Sequence, residues 1–196
     1  MDVEAIGRVE SARRRFTFRS AVCLVAAVLL LPADLPAQKP TDYDVKAAYL
    51  FNFGKFLRQP DTPHQPSFDI CVLGHDDFGG ALDKLTANEQ LNGVPEHTIH
   101  VENAVAARRC AIVFISVSEA DRLKQDLSDV AGYPVLTVSD VPHFVERGGM
   151  IGFETQAKHV RFLVGLDAVT KAGLGLSSEL LKVALAVSGG PQWRAQ

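Results

Sequence analysis

The side chains best suited to chemistry follow the apolar run Phe68–Leu73, in the segment Gly74–Gly80, which reads Gly-His-Asp-Asp-Phe-Gly-Gly. The apolar run predicts a buried strand, and the glycines after it predict a turn. In an open α/β sheet, ligands bind at the loops that follow the carboxyl ends of the strands. The residues that this pattern makes candidates for ligand binding are Gly74, His75, Asp76 and Asp77.

This loop has the wrong composition for a phosphate or a metal site. It lacks the Gly-Lys-Ser/Thr ending of a phosphate-binding loop, and its two carboxylates would repel a phosphate. Three adjacent residues seldom supply a complete metal site. The structural alternative is the acidic start of a helix near Ala81–Leu85, because carboxylates complement the positive end of a helix dipole. We therefore predict no metal site.

No other group of side chains has the composition of a catalytic site. The sequence contains no Gly-x-Ser-x-Gly, His-Glu-x-x-His or Gly-x-Gly-x-x-Gly motif. His143 and His159 flank one hairpin and could bind a metal or respond to pH as a pair, but ordinary surface histidines are the simpler interpretation. Ser116 and Ser118 are predicted to cap a helix. We therefore predict a protein that is not an enzyme, with no catalytic residue and no cofactor.

Residues 1–37 have the layout of a secretory signal peptide. Arg13–Arg15 and Arg19 form a basic region, Ala21–Leu31 is apolar, and Pro32–Ala37 supplies a break and a small residue for cleavage. The apolar run is shorter than the roughly 20 residues that span a bilayer. Cleavage after Ala37 is therefore favoured over an uncleaved membrane anchor, and we predict an exported chain with no membrane insertion after cleavage.

Two cysteines remain once Cys23 leaves with the signal peptide, namely Cys71 and Cys110. An even number of cysteines in an exported protein favours a disulfide. Both residues belong to neighbouring predicted strands, so the bridge is compatible with the fold. Two separate buried thiols are the alternative.

Helices and strands alternate along the chain, and the last two strands form an antiparallel hairpin. The predicted strands are Phe68–Leu73, Thr98–Glu102, Cys110–Ile115, Val135–Val138, Met150–Phe153 and Val160–Val164. A first helix is predicted to end near Gln59–Pro60, and a second to open at Ser118 with capping-box spacing. A final helix is predicted to run through Val187, with Leu180, Val183, Ala184 and Val187 facing inward.

This order predicts an α/β fold: a single three-layer domain with a mostly parallel open sheet, a C-terminal antiparallel hairpin and helices on both faces. The domain is predicted to cover residues 38–187, and residues 188–196 are predicted to form a flexible tail. The formal net charge of -3 lacks the basic footprint of nucleic-acid-binding proteins, so no nucleic acid is expected as a partner.

Three exposed residues are candidates for contact with a protein partner. Phe51 falls on the polar side of the first helix, and aromatic residues are enriched at interface hot spots. A contact with a neighbouring loop is the simpler interpretation of Phe51. Glu146 and Arg147 lie at a predicted turn beside the hairpin. A homodimer is compatible with the sequence, although no heptad or other oligomer pattern is present.

Four segments also resemble one known family. Pro134–Gly152, with its Gly-Gly-Met-Ile-Gly ending, resembles the signature of the YfiR-like family of small periplasmic proteins. Tyr43–Phe53 resembles that family's first helix, Cys71–Gly74 with Asp77–Gly79 its first strand and turn, and Leu174–Lys182 its last helix. The segments come in the family's order and extend over about residues 43–187.

The resemblance implies a periplasmic regulatory protein that binds and represses the periplasmic sensor region of an inner-membrane diguanylate cyclase, which lowers cyclic di-GMP signalling. Other members can carry a further cysteine pair around the hairpin, where this chain has Val145 and Gly152. The alternative function is a periplasmic small-ligand-binding accessory module for a sensor kinase or a transporter. In that case the loop Gly74–Gly80 would line the ligand pocket.

Overall fold

A computed structural model describes residues 39–60 and 66–189 of the chain. The predicted signal peptide, residues 1–37, lies outside the described residues, as does the predicted tail from residue 190 onward. The described α-helices are α1 (Asp42–Phe56), α2 (Ala81–Thr86), α3 (Leu123–Val130), α4 (Leu166–Lys171) and α5 (Ser178–Val183), with 3₁₀ turns at Ala106–Arg109 and Val117–Glu119. The strands are β1 (Leu57–Arg58), β2 (Phe68–Leu73), β3 (Gln90–Leu91), β4 (Val94–Val101), β5 (Ile112–Ile115), β6 (Leu136–Ser139), β7 (Ile151–Gln156), β8 (His159–Gly165), β9 (Gly175–Leu176) and β10 (Ala186–Ser188).

Eight strands form one curled sheet in the order β10-β8-β7-β6-β5-β2-β4-β3. The pairs are parallel except for the hairpin β7–β8 and the edge pair β3–β4. A separate antiparallel pair joins β1 to β9. The predicted α/β class, with its mostly parallel sheet and antiparallel hairpin, is confirmed.

Alternate residues of the central strands face two separate cores. In β2, Ile70 and Val72 face the core under α1, α2, α4 and α5, whereas Cys71 and Leu73 face the core under α3. β5 alternates in the same way. Because both sheet faces are covered, the central strands are nearly continuous apolar runs, as parallel strands usually are.

Helix α1 begins with a capping box at Thr41. The Thr41 hydroxyl accepts a hydrogen bond from the Asp44 N–H, and the Asp44 carboxylate accepts one from the Thr41 N–H. The helix ends at Phe56, before the predicted end near Gln59–Pro60, because Leu57 adopts an extended conformation and pairs with Leu176 of β9. A two-residue strand has no detectable periodicity, which is why the pattern missed it.

Two predictions about helices are wrong. The Ser118 hydroxyl does not cap a helix: it accepts a hydrogen bond from the His75 N–H, and Ser116 caps the 3₁₀ turn instead. The final helix stops at Val183 rather than Val187. The chain then becomes extended, and residues 186–188 pair with β8, so the predicted inward side chains of Val183 and Val187 are 62% and 41% exposed.

Gly149 should tolerate no side chain, because the Phe144 ring occupies the space beside it. A Cβ at Gly149 would overlap Cε1 and Cδ1 of that ring, and Phe144 is itself buried. We expect Gly149→Ala to reduce the free energy of unfolding by about 1–3 kcal/mol through overpacking. Urea unfolding measures this. The control is Gly152→Ala, whose Cβ would meet Val145 Cγ2 at an ordinary 3.4 Å; equal losses in both variants would contradict the packing argument.

Candidate functional site

The loops after β2, β5 and β6 meet at one edge of the sheet. The strand register places Leu73 beside Ile115, and Ile115 beside Ser139, at the carboxyl ends of the three strands. The Ser139 hydroxyl donates to the Ile115 carbonyl oxygen (2.6 Å) and accepts from the Val141 N–H (3.0 Å). These bonds fix the backbone on either side of Asp140.

The loop predicted to bind a ligand lies at this edge, but its polar groups bond to one another and to neighbouring elements. Asp76 Oδ1 accepts from the Phe78 N–H at 2.8 Å, and Asp76 Oδ2 lies 3.0 Å from His100 Nε2. His75 Nε2 lies 3.5 Å from Asp77 Oδ1. A Cβ on Gly74 would lie 2.5 Å from Ser118 Oγ, so close packing requires glycine there. The ligand-binding role of Gly74, His75, Asp76 and Asp77 stays a prediction.

A buried polar cluster of Tyr43, Lys46 and Asp140 joins α1 to the end of β6. Asp140 Oδ2 accepts from Lys46 Nζ at 2.7 Å and from the Tyr43 hydroxyl at 2.8 Å. Lys46 Nζ also lies 4.0 Å from the centre of the Tyr43 ring. The side chains of Lys46 and Asp140 are only 9% and 8% exposed. Burial, and then the hydrogen bond to Asp140, raise the pKa of Tyr43 far above its ordinary value.

The sequence pattern did not identify this cluster, although it contained one signal for it. Lys46 precedes Leu50 by four residues and Phe53 by seven, which places all three on one helix face, and Leu50 and Phe53 are buried core residues. A lysine on such a face is either extended to solvent or paired. Here Lys46 is paired with Oδ2 of Asp140. The other carboxylate oxygen, Asp140 Oδ1, is buried without a hydrogen-bond partner.

Asp126 of α3 is a second buried carboxyl group. Its side chain is 0% exposed, neither carboxylate oxygen has a hydrogen-bond partner, and Arg122 Nη2 approaches only to 3.8 Å. Burial raises the pKa of Asp126 above its ordinary value, and Arg122 opposes that effect. The folded state therefore binds a proton at Asp126 more tightly than the unfolded chain does.

The Asp126 group should stabilise the fold at low pH and lose that contribution as the pH rises through its raised pKa. We expect Asp126→Asn to increase the free energy of unfolding at about pH 8 by about 1–3 kcal/mol, because the variant no longer buries an unpaired charge. The gain should shrink as the pH is lowered toward about 4, because the folded state then increasingly protonates Asp126 and no longer buries a full charge. Urea unfolding at both values checks this, with Asp129→Asn as the control; a loss of stability at the higher pH would contradict it.

The predicted disulfide is present in the structure. Cys71 of β2 and Cys110, just before β5, are bonded, with their Cα atoms 6.1 Å apart. The two residues are 0% and 2% exposed and belong to the core under α3. The bridge therefore connects two adjacent central strands.

The three partner-contact candidates lie on two separate elements. Phe51 is half-buried on α1, and Lys55 Nζ lies 4.6 Å from the centre of its ring. Glu146 and Arg147 are exposed in the loop between β6 and β7, and Arg147 Nη2 donates to the Ala120 carbonyl oxygen at 2.9 Å. That bond holds the loop against the segment before α3.

Within residues 39–60 and 66–189, no three His, Cys, Asp or Glu side chains are grouped so as to hold a metal ion. No helix in this part of the chain is both long enough and apolar enough to cross a membrane.

The chain is thus an open, mostly parallel α/β domain with a bridged pair of central strands and a buried polar cluster at its carboxyl edge. It belongs to the YfiR/HmsC-like family, whose model matches residues 43–185. The matched range contains α1, the disulfide, the hairpin and Asp140. Membership of this family suggests a periplasmic regulator in diguanylate cyclase signalling.

One similar solved structure is the crystal structure of a conserved domain protein from Vibrio cholerae O1 biovar El Tor, with a TM-score of 0.56 and 9% sequence identity. The similarity covers 77% of this chain and 62% of that one. The chain therefore spans less than two thirds of that protein. At this identity the likeness concerns the fold alone.

Proposed function

We propose that this protein binds the periplasmic sensor region of an inner-membrane diguanylate cyclase, represses the enzyme and thereby lowers cyclic di-GMP. The family match over residues 43–185 carries the proposal. The buried Cys71–Cys110 disulfide adds support, because disulfides form and persist in oxidising compartments such as the periplasm. Export through a cleavable signal peptide, residues 1–37, is part of the proposal.

Repression requires a difference in affinity between two states of the cyclase. A ligand shifts an equilibrium between an inactive and an active arrangement only to the extent that it binds one of them more tightly. We propose that the protein prefers the inactive arrangement. Any effector that favours the active arrangement must then weaken binding by the same factor.

We propose that Phe51, Glu146 and Arg147 contact the cyclase. The Phe51 ring is half-buried, and the Lys55 ammonium lies over it. Glu146 is exposed, and Arg147 anchors its loop to the Ala120 carbonyl oxygen. Glu146→Arg should therefore weaken repression without changing stability. The matched control is the same charge reversal at Asp121, which is also exposed.

Cyclic di-GMP measured in the native host tests the function. Deleting the gene should raise cyclic di-GMP, and the full chain should restore the lower level. A chain without residues 1–37 should fail to restore it, because it would not reach the periplasm. An unchanged level after deletion, or full restoration by the chain without its signal segment, would count against the proposal.

A further inference from the structure

The outer side of β4 is largely open. Its edge partner β3 has two residues and pairs only with Val94 and Pro95. The Glu96 N–H, next along β4, donates to the Glu89 carbonyl oxygen at 3.0 Å. β4 continues to Val101, and the sheet ends at β3, so no strand of the described chain pairs with the outer side of residues 97–101.

The groups that this open edge presents follow from strand geometry. Successive residues of a strand direct their N–H and C=O groups to opposite sides. Since the Glu96 N–H points outward, the backbone groups of Thr98 and His100 point outward as well. A row of unpaired backbone donors and acceptors is a template for the addition of another strand.

A cleft of about 790 Å³ runs along this edge. Its lining includes Glu96 and Thr98, whose side chains lie on one face of β4, and His97 and Ile99, whose side chains lie on the other. A cleft that contacts both faces of one strand must follow the strand's edge. The Thr98 hydroxyl lies 3.0 Å from the Thr86 hydroxyl, so α2 forms the wall on the Glu96 face.

The cleft is acidic. Asp83, Glu89 and Glu96 line it, and no Lys or Arg is among the lining residues. Glu96 is 3% exposed and its Oε1 has no hydrogen-bond partner. A buried carboxylate without a partner lowers the stability of the fold, and a cationic partner would offset that cost. Lys55, the nearby basic residue that acts on Glu96, already donates to Asn52.

We propose that the open edge of β4 binds an extended basic segment of a partner protein, which adds as a strand and places Lys or Arg side chains in the cleft beside Glu96. Added strands of this kind gain affinity from backbone bonds and specificity from alternate side chains. The carboxylates line one wall, so the partner's basic residues should occur at every second position. A second copy of this chain is disfavoured, because pairing the two edges would oppose six carboxylates, three from each copy.

This proposal does not depend on the proposed function. The strand edge and the cleft are properties of this chain, whatever protein supplies the basic segment. Loss of cyclase repression and loss of edge binding are separate results and can be told apart.

The test uses the exported protein and a labelled peptide of four Arg-Val repeats, followed by fluorescence anisotropy at low ionic strength. We expect micromolar binding, weakened at least about tenfold in the double variant Glu89→Gln with Glu96→Gln. A matched peptide of four Glu-Val repeats should not bind. Hydrogen exchange on the wild-type protein should show that the Arg-Val peptide protects the amides of Thr98 and His100.

Peptide chemistry separates strand addition from simple charge attraction without altering the protein. N-methylation of all the valines, or of all the arginines, removes the N–H groups from one side of the peptide strand. Strand addition predicts that one of these two peptides loses binding and the other keeps it. Absence of binding by the parent peptide, equal binding by both methylated forms, or protection confined to other residues would overturn the proposal.

Discussion

Reduction of the Cys71–Cys110 disulfide should lower the free energy of unfolding by about 4 kcal/mol in the chain-entropy model. The bridge joins residues 39 positions apart, and it connects the central strands β2 and β5 at a site where both cysteines are buried. Without the bridge, the unfolded chain regains the freedom of this loop. The contacts between β2 and β5 in the folded state do not compensate for this gain in the conformational entropy of the unfolded chain.

Urea unfolding of residues 38–196, with and without reductant, measures the effect of the bridge. The control is Cys71→Ala with Cys110→Ala, whose unfolding midpoint should not respond to reductant. The comparison of oxidised with reduced wild type isolates the bridge from the cavities that alanine leaves. Identical midpoints for oxidised and reduced wild-type protein would contradict the assignment of a stabilising disulfide.

Asp140→Ala should be similarly destabilising, by about 3–5 kcal/mol, because it leaves the buried Lys46 ammonium without its carboxylate. Lys46 Nζ is 2.7 Å from Asp140 Oδ2, and the Lys46 side chain is 9% exposed. The Tyr43 hydroxyl loses the same acceptor. The melting temperature should fall by about 10 °C for a domain of this size.

A double-mutant cycle measures the coupling free energy between Lys46 and Asp140 separately from the contribution of each residue. Lys46→Met together with Asp140→Asn removes both charges but keeps an acceptor for Tyr43, so its loss should be much smaller than the sum of the two single losses. Asp121→Ala, at an exposed position, should change stability by no more than about 0.5 kcal/mol. Additive losses at Lys46 and Asp140 would show that the two groups are not energetically coupled.

The central sheet could be predicted because its information is local. Phe68–Leu73 is a continuous apolar run between polar segments, and the structure forms β2 over the same residues. The Gly-Gly break before Met150 and the polar turn before His159 similarly specified the hairpin β7–β8. Burial on both faces leaves a pattern that a single sequence displays.

The Lys46–Asp140 pair could not be predicted in this way, since its partners are 94 residues apart. The spacing of residues shows only that Lys46 lies on an apolar helix face. Which residue pairs with it depends on the order of the strands in the sheet. The prediction of where the final helix ends was wrong for a related reason. Val183 and Val187 have helical spacing, but the Leu185 N–H bonds to the Phe162 carbonyl oxygen at the edge of β8, which favours an extended chain.

The open edge of β4 also depends on long-range information. The predicted strand Thr98–Glu102 covered only the second half of β4. The first half contains Pro95 and the buried Glu96, which are unusual strand residues, so the pattern gave no signal there. The acidic cleft is visible only once α2 is packed beside β4.

Binding of the purified protein to a cyclase is the decisive test of the proposed function. Residues 38–196 would be titrated by calorimetry with the purified periplasmic region of each inner-membrane diguanylate cyclase of the native host. We expect saturable binding to at least one of them, weakened by Glu146→Arg and unchanged by Asp121→Arg. Absence of binding to every one of these regions would contradict the proposed function.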